Sequence, residues 1–304
     1  MLIRIERIGV PASMARPPQV HARLFSRMHW AWGAAPVASS PKPRDIRRVT
    51  GQQPFVSEAY SILSGDAASG LLIVVDHASR TIPADIQLGI DPAHAEKHIG
   101  WDIGAADLGG ALCERLGCPG LFGAVSRLVL DLHREEDSPA LIPEASDGHH
   151  IPGNAGLGEA DREARIARFW RPYHARLADM VAANRPALIA AVHSFTPRLE
   201  TADGSDRPWQ VGILYNGDDR AARLAIEQLR TMGFETGDNE PYSGKLLNAT
   251  MNLHAEAHGI PYLAIEVRND LLRDAAGVAR WAEVLERVIV QCRNELAPEQ
   301  VFRT

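Results

Sequence analysis

Three short apolar runs in this chain each end on a residue that can do chemistry. Leu71–Val75 runs into Asp76-His77, residues 187–192 into His193, and residues 262–265 into Glu266. Runs this short are the length of buried strands. A different period governs residues 159–184. There Ile166, Phe169, Trp170, Tyr173, Leu177, Met180 and Val181 recur on one helical face, a stripe that predicts core packing. Further helices are predicted over 103–116, stopped by Gly117, over 219–232 before Gly233, over 246–258 before Gly259, and over 274–295. Further strands are predicted at 121–125, 128–132, 210–215 and 261–267. Residues 137–158 and 201–208 read as loops, rich in turn-forming and polar residues.

Strands that alternate with helices predict an α/β fold: a three-layer sandwich with a mixed, mostly parallel sheet between helices. In such sheets ligands collect outside the carboxyl ends of the strands. Two imidazoles and a carboxylate at three strand ends therefore suggest a metal site with a general base.

Composition narrows the class. The chain has 304 residues, 45% hydrophobic and 23% charged, with a net charge of −6. Nothing in that balance favours nucleic acid, and no apolar run has the length of a membrane helix. Cys113, Cys118 and Cys292 form no CxxC pair and no even set, which fits a reducing, cytoplasmic setting. The first 50 residues stand apart. Nine basic and two acidic residues give them +7, which leaves −13 for the remainder. Residues 1–50 are expected to be a basic, disordered extension, a transit-like segment, or the product of a start placed upstream of Met14 or Met28. Ordered structure is expected from near Gln53, with residues 51–304 forming a single domain.

The candidate chemistry rests on a few residues. His77 and His193 can bind a metal as neutral imidazoles. A catalytic zinc usually keeps three protein ligands. Asp102, in Trp101-Asp102-Ile103-Gly104, is the candidate for the third, although it also stands where a helix begins and could cap it. Asp76 is the runner-up. Glu266 lies in an apolar strand, where a lone carboxylate is costly to bury. It is either the base that activates water or an ion-pair partner of an arginine, Arg268 (two residues on and on the same strand face) or another. In the cluster from Ser126 to Arg134, Arg127 and Arg134 could grip a substrate carboxylate or a developing oxyanion, or lie on the surface.

Taken in order, these pieces resemble the N-formylglutamate amidohydrolase family. The matching segments are Asp76-His77-Ala78-Ser79, Trp101-Asp102-Ile103-Gly104, Ser126-Arg127 through Asp131 to Arg134, and Ile151-Pro152-Gly153-Asn154. They continue with Pro172-Tyr173-His174, His193-Ser194-Phe195-Thr196-Pro197, Asn239 through Pro241-Tyr242-Ser243-Gly244, and Ile265-Glu266-Val267-Arg268. The resemblance implies the fold of the zinc carboxypeptidases and aspartoacylases. It implies metal-dependent hydrolysis of N-formyl-L-glutamate, a small acidic N-acyl amino acid, to formate and L-glutamate, late in histidine degradation. His77, His193 and Asp102 would hold Zn2+ or another divalent metal, and Glu266 would be the base. Arg127 would serve the oxyanion, Arg134 with Arg268 the substrate carboxylates, and Tyr242 and Asn248 the pocket. Two departures stand out from the carboxypeptidase and aspartoacylase pattern. Arg80 replaces the glutamate three residues after the first histidine, and His133 replaces the asparagine before the carboxylate-binding arginine.

Overall fold

The computed structural model describes residues 55–201 and 206–299. The predicted extension at 1–50 lies outside these residues. The described chain builds an eight-stranded mixed sheet in the order β1-β2-β4-β3-β7-β10-β8-β9. These strands are β1 (Phe55–Val56), β2 (Tyr60–Leu63), β3 (Leu71–Val75), β4 (Gly120–Gly123), β7 (Leu188–Phe195), β8 (Val211–Leu214), β9 (Thr236–Asp238) and β10 (Tyr262–Arg268). The central strands β4, β3, β7 and β10 run parallel, as do β8 and β9. The pairs β1–β2, β2–β4 and β8–β10 are antiparallel.

The central strands bury both faces, which is why they read as unbroken apolar runs. Leu71, Ile73 and Val75 enter one core, and Leu72 and Val74 the other. In the sequence itself, β3 carries no period-two signal, because both of its faces meet apolar layers. The first layer holds α2 (Ala105–Leu116), α5 (Arg220–Thr231) and α7 (Ala275–Leu296). The second holds α3 (Glu159–Arg165), α4 (Arg171–Asn184) and α6 (Ala249–His254). A short α1 (Pro92–Ala95) starts at the Asp91 cap, with a proline in its first turn.

The helix predicted over 159–184 forms with a π turn at Ile166–Trp170 inside it. Pro172 explains the break. Its ring would clash with the carbonyl four residues back in a regular α-helix, and a wider turn relieves that contact. Just after the turn the His174 ring packs against Trp170 and Tyr173, with ring centres 4.0 and 5.2 Å away.

Three local expectations are corrected. Residues 128–132 form a turn, not a strand, although Leu128, Val129 and Leu130 are fully buried. Side chains satisfy the turn's backbone in place of a strand partner. Asn154 Nδ2 donates to Leu128 O at 2.7 Å, and Arg165 Nη1 donates to Val129 O at 3.0 Å. Within the predicted loop 137–158, β5 (Ala145–Ser146) and β6 (His149–His150) form a hairpin. Its turn is Asp147-Gly148, both at positive φ, the conformation a two-residue hairpin demands. The helix predicted over 246–258 is the short α6 followed by a separate turn at Glu256–His258.

Candidate active site

Strand parity places the first two groups. Ile189 and Ala191 face the second core, so His193 follows on the same face. Tyr262 and Ala264 do likewise, so Glu266 follows them. The register pairs Glu266 directly with His193 across β7 and β10. Asp76 and His77 leave β3 at the level where the chain order reverses, β4 lying on one side and β7 on the other. That is the crevice in which α/β sheets hold ligands. Close approach there needs a glycine. A Cβ on Gly123 of β4 would stand 2.1 Å from the Asp76 carbonyl oxygen.

Asp102 reaches this crevice from the segment before α2. Gly104, in the left-handed conformation, takes the helix cap position, so the Asp102 carboxylate is not spent on capping. Its Oδ2 lies 2.9 Å from His193 Nδ1 and 3.3 Å from His77 Nδ1. All three residues are buried.

Each histidine has a second carboxylate on its far nitrogen. Asp131 Oδ1 lies 2.7 Å from His77 Nε2, and Asp76 Oδ2 lies 3.5 Å from His193 Nε2. A carboxylate accepts only, so Asp131 selects the Nε2–H form of His77, whereas Asp76 stands near His193 Nε2 without a hydrogen bond to it. The Nδ1 atoms of both rings face Asp102. Arg127 Nη2, 2.7 Å from His77 Nδ1, donates to that lone pair. Such outer carboxylates are the usual support of metal-binding histidines.

Glu266 is buried and faces the same cavity. Burial pushes its carboxyl up to about 7, and the Asp102 charge adds to the effect while His193 and Arg127 oppose it. Its Oε2 has no hydrogen-bond partner among the described residues. The ion pair with Arg268 does not form. Around these groups lies a cavity of about 260 Å³, whose wall includes Arg127, Arg134, Leu128, Ser146, Tyr242 and Leu247. Arg127 Nε and Arg134 Nε both approach Asp131 Oδ2, at 3.8 and 3.6 Å. One carboxylate thus sets both guanidiniums and His77.

Two residues of the helical stripe read from sequence as core, Trp170 and Tyr173, also brace the site, together with the adjacent His174. Trp170 Nε1 donates to Arg134 O at 2.9 Å, Tyr173 OH donates to Asp76 Oδ1 at 2.6 Å, and His174 Nε2 donates to Leu132 O at 3.0 Å. His133 is a further member that sequence reasoning left without a role. Its Nδ1 lies 2.9 Å from Asp76 Oδ2. No spacing announces the partnerships of Asp131 and His133, because His77 and Asp76 lie more than 50 residues away.

Two predicted pocket residues are turned elsewhere. Arg268 pairs with Asp270 at 2.8 Å and donates to the Arg207 and Pro208 carbonyls. It stands at the last position of β10 and ties the strand to the neighbouring 207–208 segment. Asn248 is buried behind Leu247, donating to Asn252 Oδ1 and to the Tyr262 hydroxyl. Tyr242 does line the cavity, and its hydroxyl accepts from Arg207 Nη1 at 3.0 Å.

The donor set fits a divalent cation. Donor atoms of His77, Asp102 and His193 lie within 4.8 Å of one another. Burial opposes a proton on His193, yet Asp102 and Asp76 outweigh it and hold the imidazole well above its ordinary pKa. The field that retains that proton would equally retain a cation in its place. Asp76, His133 and His193 form a second group with similar spacing. There the carboxylate is already engaged by Tyr173 and His133, as expected of an orienting group.

A family model described as N-formylglutamate amidohydrolase matches residues 69–273. Among solved structures, the gene product Atu2144 of Agrobacterium tumefaciens is similar, at 29% identity and a TM-score of 0.73. It covers 79% of this chain and 96% of its own. A protein named N-formylglutamate amidohydrolase, from Ralstonia eutropha JMP134, shares the fold at 21% identity and a TM-score of 0.58, over 80% of this chain and 100% of its own. No curated protein matches. With two thirds of its length inside the family match, and its candidate site within that span, the chain belongs to the N-formylglutamate amidohydrolase family.

Proposed function

We propose that this chain is a zinc-dependent amidohydrolase that converts N-formyl-L-glutamate, or a similarly small acidic N-acyl amino acid, to the free acid and the amino acid. The observation that carries this reading is one small cavity. In it His77 Nδ1, Asp102 and His193 Nδ1 converge beside the unpartnered Glu266 carboxylate and two arginines.

His77, Asp102 and His193 would hold the cation, and imidazole with carboxylate suits zinc. When bound, it supplies Lewis acidity that polarises the amide carbonyl. Glu266 takes a proton from the attacking water and returns it to the amide nitrogen as the C–N bond breaks. A carboxyl held near neutral pH is suited to both transfers. Arg127 donates to the carbonyl oxygen as charge develops there. Arg134 grips a substrate carboxylate in a fork. Tyr242, whose hydroxyl accepts from Arg207, has its own proton to give a second carboxylate. A cavity of this size suits a small acid better than a peptide.

We place residues 51–304 in one catalytic domain, and the activity at a late step of histidine degradation in the cytoplasm. The three buried free thiols fit that reducing setting. Among the described residues no helix is long and apolar enough to cross a membrane.

The test is formate release from N-formyl-L-glutamate by the zinc-loaded protein. Glu266→Gln should keep substrate binding and lose turnover on the order of 10²- to 10⁴-fold. Full activity in that variant, or no formate from the loaded wild type, sinks the proposal.

A further inference from the structure

His133 is an ionisable group of the cavity wall that the mechanism leaves unused. It follows Asp131 in the turn that supplies Arg134, and its backbone N–H donates to Asp131 Oδ1 at 2.9 Å. The ring lies against both candidate ligand histidines, 4.8 Å from the His193 ring centre and 5.9 Å from that of His77. It therefore stands at the reacting end of the cavity.

The protonation of this ring follows from its partners. Asp76 is fully buried, and Tyr173 OH donates to its other oxygen at 2.6 Å. The carboxylate can only accept, so His133 Nδ1 carries the hydrogen that meets Asp76 Oδ2. Thr250 Oγ1, at 3.1 Å, also flanks that nitrogen. In the neutral ring Nε2 is then a lone-pair acceptor, and no hydrogen bond reaches it from the described residues. The other polar atoms reserved for substrate, on Arg127, Arg134 and Tyr242, are donors. A secondary amide brings one donor of its own, the N–H at the bond to be cut.

We propose that His133 is a substrate-contacting residue whose Nε2 accepts the amide N–H at the scissile bond. The site then selects N-acyl amino acids whose amide nitrogen bears a hydrogen. This rests on the amidohydrolase reading above. Asp76 acts behind it as a positioning residue, through the tautomer it imposes.

The experiment compares N-formyl and N-acetyl amino acids with their N-methyl counterparts, which keep every other group. The zinc-loaded wild type should prefer the N–H compounds in kcat/KM by roughly tenfold or more, the scale of one lost buried hydrogen bond. His133→Gln, whose amide oxygen can take the place of Nε2, should keep that preference. His133→Leu, of similar bulk and without an acceptor, should lose it. Both variants should bind as much zinc as the wild type. A preference that persists in His133→Leu marks steric exclusion and overturns the inference. Zinc loss in both variants makes His133 a ligand and also overturns it. If N-formyl-L-glutamate is inert but another acyl compound is cleaved, only the substrate assignment fails, and the ratio is read on that compound. No turnover and no binding across the panel defeats both.

Discussion

Asp131 Oδ1 meets His77 Nε2 at 2.7 Å, and that contact decides which nitrogen of His77 faces the cavity. The same carboxylate lies within 4 Å of Arg127 and Arg134 through its other oxygen. Asp131 is therefore the joint between the candidate metal ligands and the substrate-binding side.

Asp131→Asn should keep the fold and weaken zinc binding about 10- to 100-fold, the usual cost of losing an outer carboxylate behind a histidine ligand. Chelator competition at fixed pH measures this. Unchanged affinity would show that His77 needs no support.

The two arginines should separate kinetically. Arg134→Ala removes a fork that holds substrate and transition state alike, so KM should rise with kcat largely kept. Arg127→Ala removes a donor to the developing oxyanion, so kcat should fall on the order of 10²-fold or more. Steady-state kinetics on one acidic substrate distinguishes them. Equal effects on KM would place Arg127 with Arg134 on the carboxylates.

Acid should destabilise the fold through a buried pair behind the site. His174 Nε2 donates to Leu132 O, so its Nδ1 is an acceptor and His254 Nε2, at 2.9 Å, donates to it. Both rings are neutral. Burial holds His174 down to about 3 and His254 down to about 4. An unfolded chain protonates both near the ordinary value of about 6.5. Between roughly pH 6.5 and 4 the unfolded state thus binds more protons, and stability falls as pH falls. The slope per histidine is at most about 1.4 kcal/mol per pH unit. Urea midpoints across this range should show it. A His174→Leu, His254→Leu double variant should lose that part of the slope, even where it is less stable at neutral pH.

Gly123→Ala should destabilise by about 1–3 kcal/mol, the range for overpacking. Its Cβ would meet the Asp76 carbonyl at 2.1 Å and Leu132 Cδ1 at 2.8 Å. Because β4 cannot move from β3 without breaking their pairing, Asp76 should shift as well, and activity should fall beyond the stability loss. Thermal melting and kcat on the same preparation check both. A variant as stable and active as the wild type would contradict this packing.

Much of the fold was legible in the sequence. The apolar runs marked β3, β7 and β10, and glycines marked the ends of α2 and α5. The short edge strands were not, because a pair such as Phe55–Val56 lies exposed and carries no apolar pattern. The turn at 128–132 was misread for the opposite reason. It is as apolar as a strand, and only Asn154 and Arg165, from elsewhere in the chain, let its backbone be buried without a sheet partner.

The division follows from the range of the physics. Sequence alone determined that two imidazoles and a carboxylate would stand at strand ends, because side-chain alternation is a property of the local backbone. It left Asp102 balanced between ligand and helix cap, and it grouped Arg268 with Glu266. Tertiary structure decided against the cap and against that pairing. The carboxylate of Asp102 is free to face His77 and His193 because Gly104 caps the helix, and Arg268 is drawn off by Asp270. The partnerships of Asp131 with His77 and of Asp76 with His133 had no trace in spacing. They exist only because the 125–134 turn packs against the end of β3, and such contacts depend on the whole fold, not on the residues beside them.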